Sequence, residues 1–304
     1  QFKHEVEKTV STYLQRTENE VPISLPSIEE LTEIMRALPT NKSASCDNIT
    51  YEHIKYGGEA LLKTLLVLFN SIIEHETLPD GFKTGLTITL HKGHGKSRSD
   101  PNNYRAISLL PVISKLFEKV ILKRLEHSDA AKQINPLQYG FQKGKSCKMV
   151  SLLLQESWEY LRERNSDMHV CYLEARAAFD NMWTTGLIHK LYNLVIKDKL
   201  LRIINNTFQG ASIRVLYNGY LSETFQIMQG TRQGSICAPF HYTIHVNGLL
   251  DELQRSVHGL RVGELKLSAP TQADDIVLFS TSRLGLAKLV SICRNYANKW
   301  RYSY

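Results

Sequence analysis

No run of about 18 apolar residues occurs in the chain, so none of it reads as a membrane-crossing helix. Cysteine is scarce and poorly spaced for cross-linking. The five present are Cys46, Cys147, Cys171, Cys237 and Cys293, with no C-x-x-C pair. That spacing excludes a recognisable disulfide framework or zinc ribbon and points to reduced thiols in an intracellular protein. There is no low-complexity tract and no internal repeat, which excludes solenoids and fibrous arrays. The opening residues Gln1-Phe2-Lys3-His4 have no initiator methionine and no signal-peptide order of charged, apolar and small regions. The chain therefore reads as a piece of something longer.

What is present is an ordinary globular composition. The 304 residues are 42% hydrophobic and 22% charged, enough for one large or two modest cores. Lys plus Arg exceeds Asp plus Glu by 37 − 30 = 7, and the isoelectric point is about 9.0. A mild basic excess suits a polyanionic partner, although a solvated basic surface gives the same balance.

Patterning divides the chain near Asp167. Before it, helical periods dominate. Ser27 to Glu30 has the form of a capping box, followed by Leu31, Ile34, Met35 and Leu38 at helical spacing. Helices are expected over about Glu59–Glu76, from beyond Arg105 through Leu116 and Val120 to Leu125, and over about Lys148–Arg164. Leu86 to Leu90 is a short strand-like run leading into the basic, Gly-rich loop His91 to Arg98. After Asp167 the elements alternate. His169 to Leu173 reads as a buried strand and Leu187, Leu191 and Leu194 as a helix. Ser212–Tyr217 and Tyr220–Ile227 read as a hairpin about Asn218-Gly219. Ala238 to Leu253 reads as a helix, Leu260 to Leu267 as a strand, Ile276 to Phe279 as a strand and Leu284 to Trp300 as a helix. The expected class is α/β (α+β), sheet layered with helices.

Three features bear on chemistry. The first is Gln272-Ala273-Asp274-Asp275 before the apolar run Ile276–Phe279. A bare Asp-Asp pair is most often a solvated turn. Here, however, Glu174 closes the strand-like run His169–Leu173, with Asp180 six residues on. If the two strand ends are neighbours, Glu174, Asp274 and Asp275 form one acidic cluster. Crowded carboxylates are costly without cations, and hard oxygen ligands favour Mg²⁺. Two such ions roughly 3.5–4 Å apart can activate a hydroxyl and hold a leaving phosphate oxygen. The second feature is Gln229-Gly-Thr-Arg-Gln-Gly-Ser235 with Ala238-Pro239, whose glycines let backbone approach a substrate, or simply form a turn. The third is the basic loop Lys92 to Arg105, suited to a triphosphate. Gly95-Lys96-Ser97 and Gly144-Lys145-Ser146 are not P-loops, because Leu90 and Tyr139 stand where the first glycine belongs. The 11 histidines form no ligand or triad pattern.

In this order the motifs resemble reverse transcriptases of non-LTR (LINE-like) retrotransposons, from about Ser27 to the C-terminus. Lys42–Ile49 and Leu78–Phe82 look like upstream finger segments, and Lys92 through Ser108 like the finger loop. Gln138-Tyr-Gly-Phe-Gln-Lys-Gly144 is similar to the family's Gln-aromatic-Gly-Phe-Arg segment. Leu173–Asp180 resembles motif A, Gln229–Pro239 motif B, Gln272–Asp275 motif C and Lys299-Trp300-Arg301 the start of motif D. The resemblance implies a right-hand polymerase fold with an N-terminal helical extension over 1–26, helical fingers over 27–166 and a palm over 167–304. The palm would be a small antiparallel sheet backed by helices, with the thumb absent.

It also implies an RNA-directed DNA polymerase that uses an RNA template, a DNA primer and deoxynucleoside triphosphates, in the nucleus or cytoplasm. Glu174, Asp274 and Asp275 stand at the metal-binding acids, for two Mg²⁺ ions or Mn²⁺ as a substitute, with the Ala175 carbonyl as a further ligand. Phe179 stands where the sugar 2′ carbon is tested. Gln229 and Gly230 border the nucleotide and templating base, and Lys92 and Arg105 hold the triphosphate. Departures from the family pattern are Glu174 for Asp, Ala177 and Gln142 for commonly basic residues, Gln272 for an aromatic and Ala238 for Ser. Glu174 also suits a second reading, a degenerate or domesticated copy that binds nucleic acid without catalysis. An intron-type maturase is a third, with no maturase extension visible in the chain.

Overall fold

The computed structural model describes residues 1–16, 22–93, 95–232 and 234–304. His94 of the basic loop and Gln233 of the Gln229–Ser235 segment lie outside them. In chain order the elements are α1 (Phe2–Gln15), α2 (Ile28–Arg36), α3 (Tyr51–Lys55), α4 (Gly58–His75), α5 (Asp80–Lys83), β1 (Thr84–His91), β2 (Tyr104–Leu109), α6 (Val112–Glu126), α7 (Asp129–Lys132) and α8 (Cys147–Arg162). There follow β3 (His169–Glu174), α9 (Thr184–Asn193), α10 (Asp198–Phe208), β4 (Ser212–Tyr217), β5 (Tyr220–Leu221), β6 (Phe225–Gln226), α11 (Ala238–Arg255), β7 (Arg261–Val262), β8 (Leu265–Lys266), β9 (Thr271–Gln272), β10 (Asp275–Ser280) and α12 (Arg283–Trp300). The mixed α/β expectation holds, with small sheets among many helices. Among the described residues no helix is long and apolar enough to cross a membrane.

Contacts divide the chain into two units, each assembled from separated segments rather than from the stretches either side of Asp167. One unit comprises 1–7, 131–190 and 239–304, the other 8–130 and 191–238. The second is built on the sheet order β2-β1-β4-β5, with β6 also on β4. β1 runs antiparallel to β2 from Leu86↔Leu109 to His91↔Tyr104, and parallel to β4 from Thr84↔Ser212 to Ile88↔Leu216. Strand β2 replaces the helix expected directly after Arg105. Ser108 is its one fully buried residue, bonded hydroxyl to hydroxyl with Thr87 at 3.1 Å, so the strand shows no clean alternation to read. The helical period resumes at Val112, after Pro111. Helix α10, which carries buried Leu201, Ile203 and Ile204, was not expected either.

Local chemistry explains several boundaries here. Ser27 caps α2 by accepting from the Glu30 amide at 3.2 Å. The second half of the anticipated capping box is replaced, because the Glu30 carboxylate forks with the Arg124 guanidinium of α6. Helix α4 ends at Glu76 in the left-handed region (φ 56°), and that carboxylate holds Arg202 at 2.5 and 2.8 Å. The Asn218-Gly219 turn forms as expected, both residues at positive φ (49° and 81°), which the primed hairpin turn requires. Its second arm breaks into β5 and β6 instead of running on to Ile227.

The first unit carries the sheet order β3-β10-β9. Central β10 buries Ile276, Val277, Leu278 and Phe279 in succession, as a strand covered on both faces must. Val277 and Phe279 join Leu137, Val150, Leu161, Leu260 and Leu267 in one core cluster. Helix α12 packs on β10 and β3, capped by Ser282 Oγ accepting from the Gly285 amide at 3.1 Å. The single strand expected over Leu260–Leu267 is instead a minimal hairpin, β7 against β8. Gly263 at φ 57° reverses the chain between them.

Candidate active site

Strands β9 and β10 are joined by the two-residue turn Ala273-Asp274, with Gln272 opposite Asp275. Ala273 sits at φ 60°, a left-handed conformation unusual for alanine. On the other side of β10, Asp275 lies directly opposite Glu174, the last residue of β3. The neighbouring strand ends anticipated from sequence are therefore real. Glu174 and Asp275 are exposed and Asp274 is half-buried. Burial raises the Asp274 carboxyl above the ordinary carboxylate range, and the charges of Asp275 and Glu174 add to it, against a lowering backbone hydrogen bond. This donor set suits a hard divalent cation in charge and chemistry. The side chains do not converge into a finished cage: among the described residues no group of three or more His, Cys, Asp or Glu is placed to hold a metal ion.

Ala175 follows Glu174 and is buried with Ala178, Tyr242 and Val246. Phe179 packs against this cluster. Its ring lies 5.0 Å from Tyr242 and 6.2 Å, edge-on, from Phe141. The Tyr242 hydroxyl is pushed far up, first by burial and then by Tyr302, Asp274 and Asp275. The loop between Glu174 and Asp180 is fixed by main chain. The Arg176 amide donates to the Ser303 carbonyl at 2.8 Å, and the Asn181 amide to that of Ala177 at 2.8 Å.

The other unit carries Lys92, Arg105, Gln229 and Gly230. Lys92 and Arg105 sit at the same end of the β1–β2 hairpin, where the Lys92 amide donates to the Asn103 carbonyl at 2.8 Å and its ammonium to the Asn102 carbonyl at 2.7 Å. The basic loop is tied back on itself by Tyr104 Oη to the Arg98 carbonyl and Asn103 Nδ2 to the Ser97 carbonyl, each 2.9 Å. Gln229 is exposed, and Gly230 is buried at φ 84°.

The loop that follows Gly230 is organised by Glu118 of α6, a residue that sequence reasoning passed over. The Glu118 carboxylate is buried and accepts from Arg232 Nη2 at 3.2 Å, Ser235 Oγ at 2.8 Å and the Ile236 amide at 2.5 Å. Arg232 also donates to the Phe82 carbonyl at 2.9 Å. Gly234, at φ 102°, leaves no room for a side chain: a Cβ there would lie 2.3 Å from the Ser108 carbonyl oxygen. Glu118 falls within a helical period where glutamate signals only a solvated face, so no pattern marked it.

The structure thus gathers Glu174, Ala175, Phe179, Asp274 and Asp275 in one unit and places Lys92, Arg105, Gln229 and Gly230 in the other. Known proteins similar to this chain bear on its family. The family described as "Reverse transcriptase (RNA-dependent DNA polymerase)" matches residues 91–304, more than half of the chain. The "RNA-directed DNA polymerase from mobile element jockey" of Drosophila melanogaster is 25% identical over 302 residues, 96% of this chain and 32% of that protein. Its namesake in Drosophila funebris is 28% identical over 291 residues, 93% of this chain and 31% of that protein. The "Probable RNA-directed DNA polymerase from transposon X-element" of Drosophila melanogaster is 27% identical over 283 residues, 92% of this chain and 30% of that protein. The chain spans about a third of the length of these relatives.

Proposed function

The chain belongs to the reverse transcriptase family, and from that membership we propose that it supplies the fingers and palm of an RNA-directed DNA polymerase of a non-LTR retrotransposon. By motif order, 27–166 are the fingers, 167–304 the palm of a right-hand polymerase fold, and 1–26 an N-terminal extension. The observation that carries the reading is the register that sets Asp275 opposite Glu174, with Asp274 on the adjoining turn.

In this reading a primer 3′ hydroxyl attacks the α-phosphate of a deoxynucleoside triphosphate, directed by an RNA template, and pyrophosphate leaves. Glu174, Asp274, Asp275 and the Ala175 carbonyl would hold two Mg²⁺ ions, or Mn²⁺, which supply charge neutralisation and hydroxyl activation when bound. Phe179, backed by Tyr242, excludes a sugar bearing a 2′ hydroxyl. Lys92 and Arg105 grip the triphosphate, and Gln229 and Gly230 border the nucleotide and its templating base. Because Glu is one methylene longer than Asp, Glu174 displaces its carboxylate, and a misplacement of about 1 Å can cost on the order of 10²-fold in rate.

The test is primer extension on poly(rA)/oligo(dT) by the full-length protein carrying this chain, with Mg²⁺ and then Mn²⁺. Extension that Asp274→Ala abolishes supports the polymerase. Glu174, together with the unconverged carboxylates, favours one second reading, a nucleic-acid-binding module without catalysis. Silence from both the parent and Glu174→Asp, with template binding intact, would decide for it.

A further inference from the structure

The segment Gln138 to Phe141 precedes motif A and has no role in the function proposed above, yet both its buried side-chain amide and its main chain are bonded to the Asp-Asp hairpin. Gln138 is wholly buried. Its Oε1 accepts from the Ala273 amide at 3.1 Å and from the Gly140 amide at 2.8 Å, and its Nε2 faces the Ala273 carbonyl at 3.4 Å. The main chain on either side adds two bonds to β9. The Tyr139 amide donates to the Thr271 carbonyl at 2.8 Å, and the Thr271 amide to the Leu137 carbonyl at 2.9 Å. Gly140 is pressed onto the turn so closely that a Cβ would lie 2.2 Å from Ala273 N and 2.7 Å from Ala273 Cα.

Beyond Gly140 the chain turns through Phe141 at φ 58°, and the Phe141 ring meets Phe179 edge-on. The segment is anchored behind as well. The Asn135 amide donates to Asn247 Oδ1 at 2.7 Å, and the Asn135 side chain donates to Asp251 Oδ1 at 2.7 Å and to Gln254 Oε1 at 2.9 Å, all on α11.

We propose that Gln138 is a positioning residue for the reaction, fixing through the Ala273 backbone where the Asp274 carboxylate is held, with Gly140 allowing the contact. The physical need is specific. Asp274 is half-buried among like charges, and the turn that carries it runs through a left-handed alanine. Like-charge repulsion drives such a turn to relax outward, and strained backbone persists only where its surroundings over-determine it. A buried amide that both accepts from and faces the same residue supplies that restraint without adding charge beside the carboxylates. The inference rests on the polymerase reading.

It is tested with Gln138→Met, which keeps the volume and removes the acceptor, and Gln138→Glu, which keeps the acceptor. Both are read in the full-length protein beside Asp274→Ala. Expected for Gln138→Met is a fall in kcat of roughly 10- to 10²-fold, with the nucleotide KM within about three-fold of the parent. Gln138→Glu should recover part of the loss. Mn²⁺ binding, followed by calorimetry without substrate, should weaken about ten-fold in Gln138→Met and vanish in Asp274→Ala. Unchanged kcat and unchanged Mn²⁺ affinity in Gln138→Met, with only a lower melting temperature, would overturn the positioning role and leave a core residue. A parent and a Glu174→Asp protein that both fail to extend primer while binding template would instead overturn the polymerase reading, while the Mn²⁺ titration still judges Gln138. Should Gln138→Met not fold, the kcat and Mn²⁺ affinity of Gly140→Ala decide the matter, because the added Cβ would lie 2.2 Å from the Ala273 amide nitrogen. Parental values for both would refute the proposal, because the Ala273 backbone would then be pushed aside with no effect on Asp274.

Discussion

Two sets of carboxylates in this chain are treated in opposite ways. Glu118 is buried and saturated: a guanidinium, a hydroxyl and a backbone amide all point at it. Glu174, Asp274 and Asp275 are set beside one another at two strand ends, and the effect of two of them on the third is repulsive. A carboxylate that only holds a fold is neutralised by the protein itself. Under the proposed function the second set is kept for a divalent cation and has to retain its charge, so its surroundings stay uncomfortable until the cation arrives. The contrast then separates a structural acid from a proposed functional one on physical grounds.

The sharpest way to break the comparison is to remove one acid from each set. Asp274→Ala should reduce primer extension on the order of 10³-fold or more while the melting temperature stays near the parent's. Steady-state extension assays and a thermal melt check the pair of outcomes. Glu118→Ala should do the reverse in kind. It strands the Arg232 guanidinium in a buried site, at about 3–5 kcal/mol of stability, visible as a lower denaturant midpoint. If Glu118→Ala were neutral, the saturated carboxylate would not be structural and the contrast would fail.

Glu174→Asp sharpens the functional side. Restoring the shorter side chain should raise the Mg²⁺-supported rate by up to roughly 10²-fold, with a smaller gain in Mn²⁺; equal rates for both proteins would show that the extra methylene is accommodated. Gly234→Ala probes the loop that Glu118 organises. Positive φ and the Ser108 carbonyl together should cost about 1–3 kcal/mol, measured by equilibrium unfolding.

The smallest effect expected is a pH dependence. Burial and like charges raise the folded-state pKa of Asp274, so the folded chain binds that proton more tightly than the unfolded chain. Stability therefore falls as pH rises from the ordinary carboxylate range through the raised value. In EDTA, Asp274→Asn should melt higher than the parent at neutral pH, with the difference closing in acid. A parent that gains stability over that window relative to Asp274→Asn would show the carboxylate to be favourably paired.

Much of this was legible in the residues. The apolar run Ile276–Phe279, the Asn218-Gly219 turn and the helical periods of α4, α6, α8 and α12 announce their elements, because each depends on side chains within a few positions of one another. The candidate acids were legible because Asp-Asp before a buried strand and Glu after another are local patterns. Other elements could not be read. Strand β2 buries one serine in full and has no alternation, and β7 and β8 are only two residues each. Strands β7 and β8 pair with each other across a tight turn, and two residues are too few to show a period.

By itself, then, the sequence determined the identity of the chemically useful groups and most of the helices, since composition and short-range periodicity are properties of the chain alone. Tertiary structure decided which of those groups meet. The pairing of Asp275 with Glu174 spans about a hundred residues, Gln138 reaches Ala273 across a similar gap, and Glu118 reaches Arg232 across another. Contacts at such separations arise only when strand register and helix packing close the loops between them. The energy that fixes them comes from burying apolar surface elsewhere in the same unit, for the first two in β10 and the helices around it.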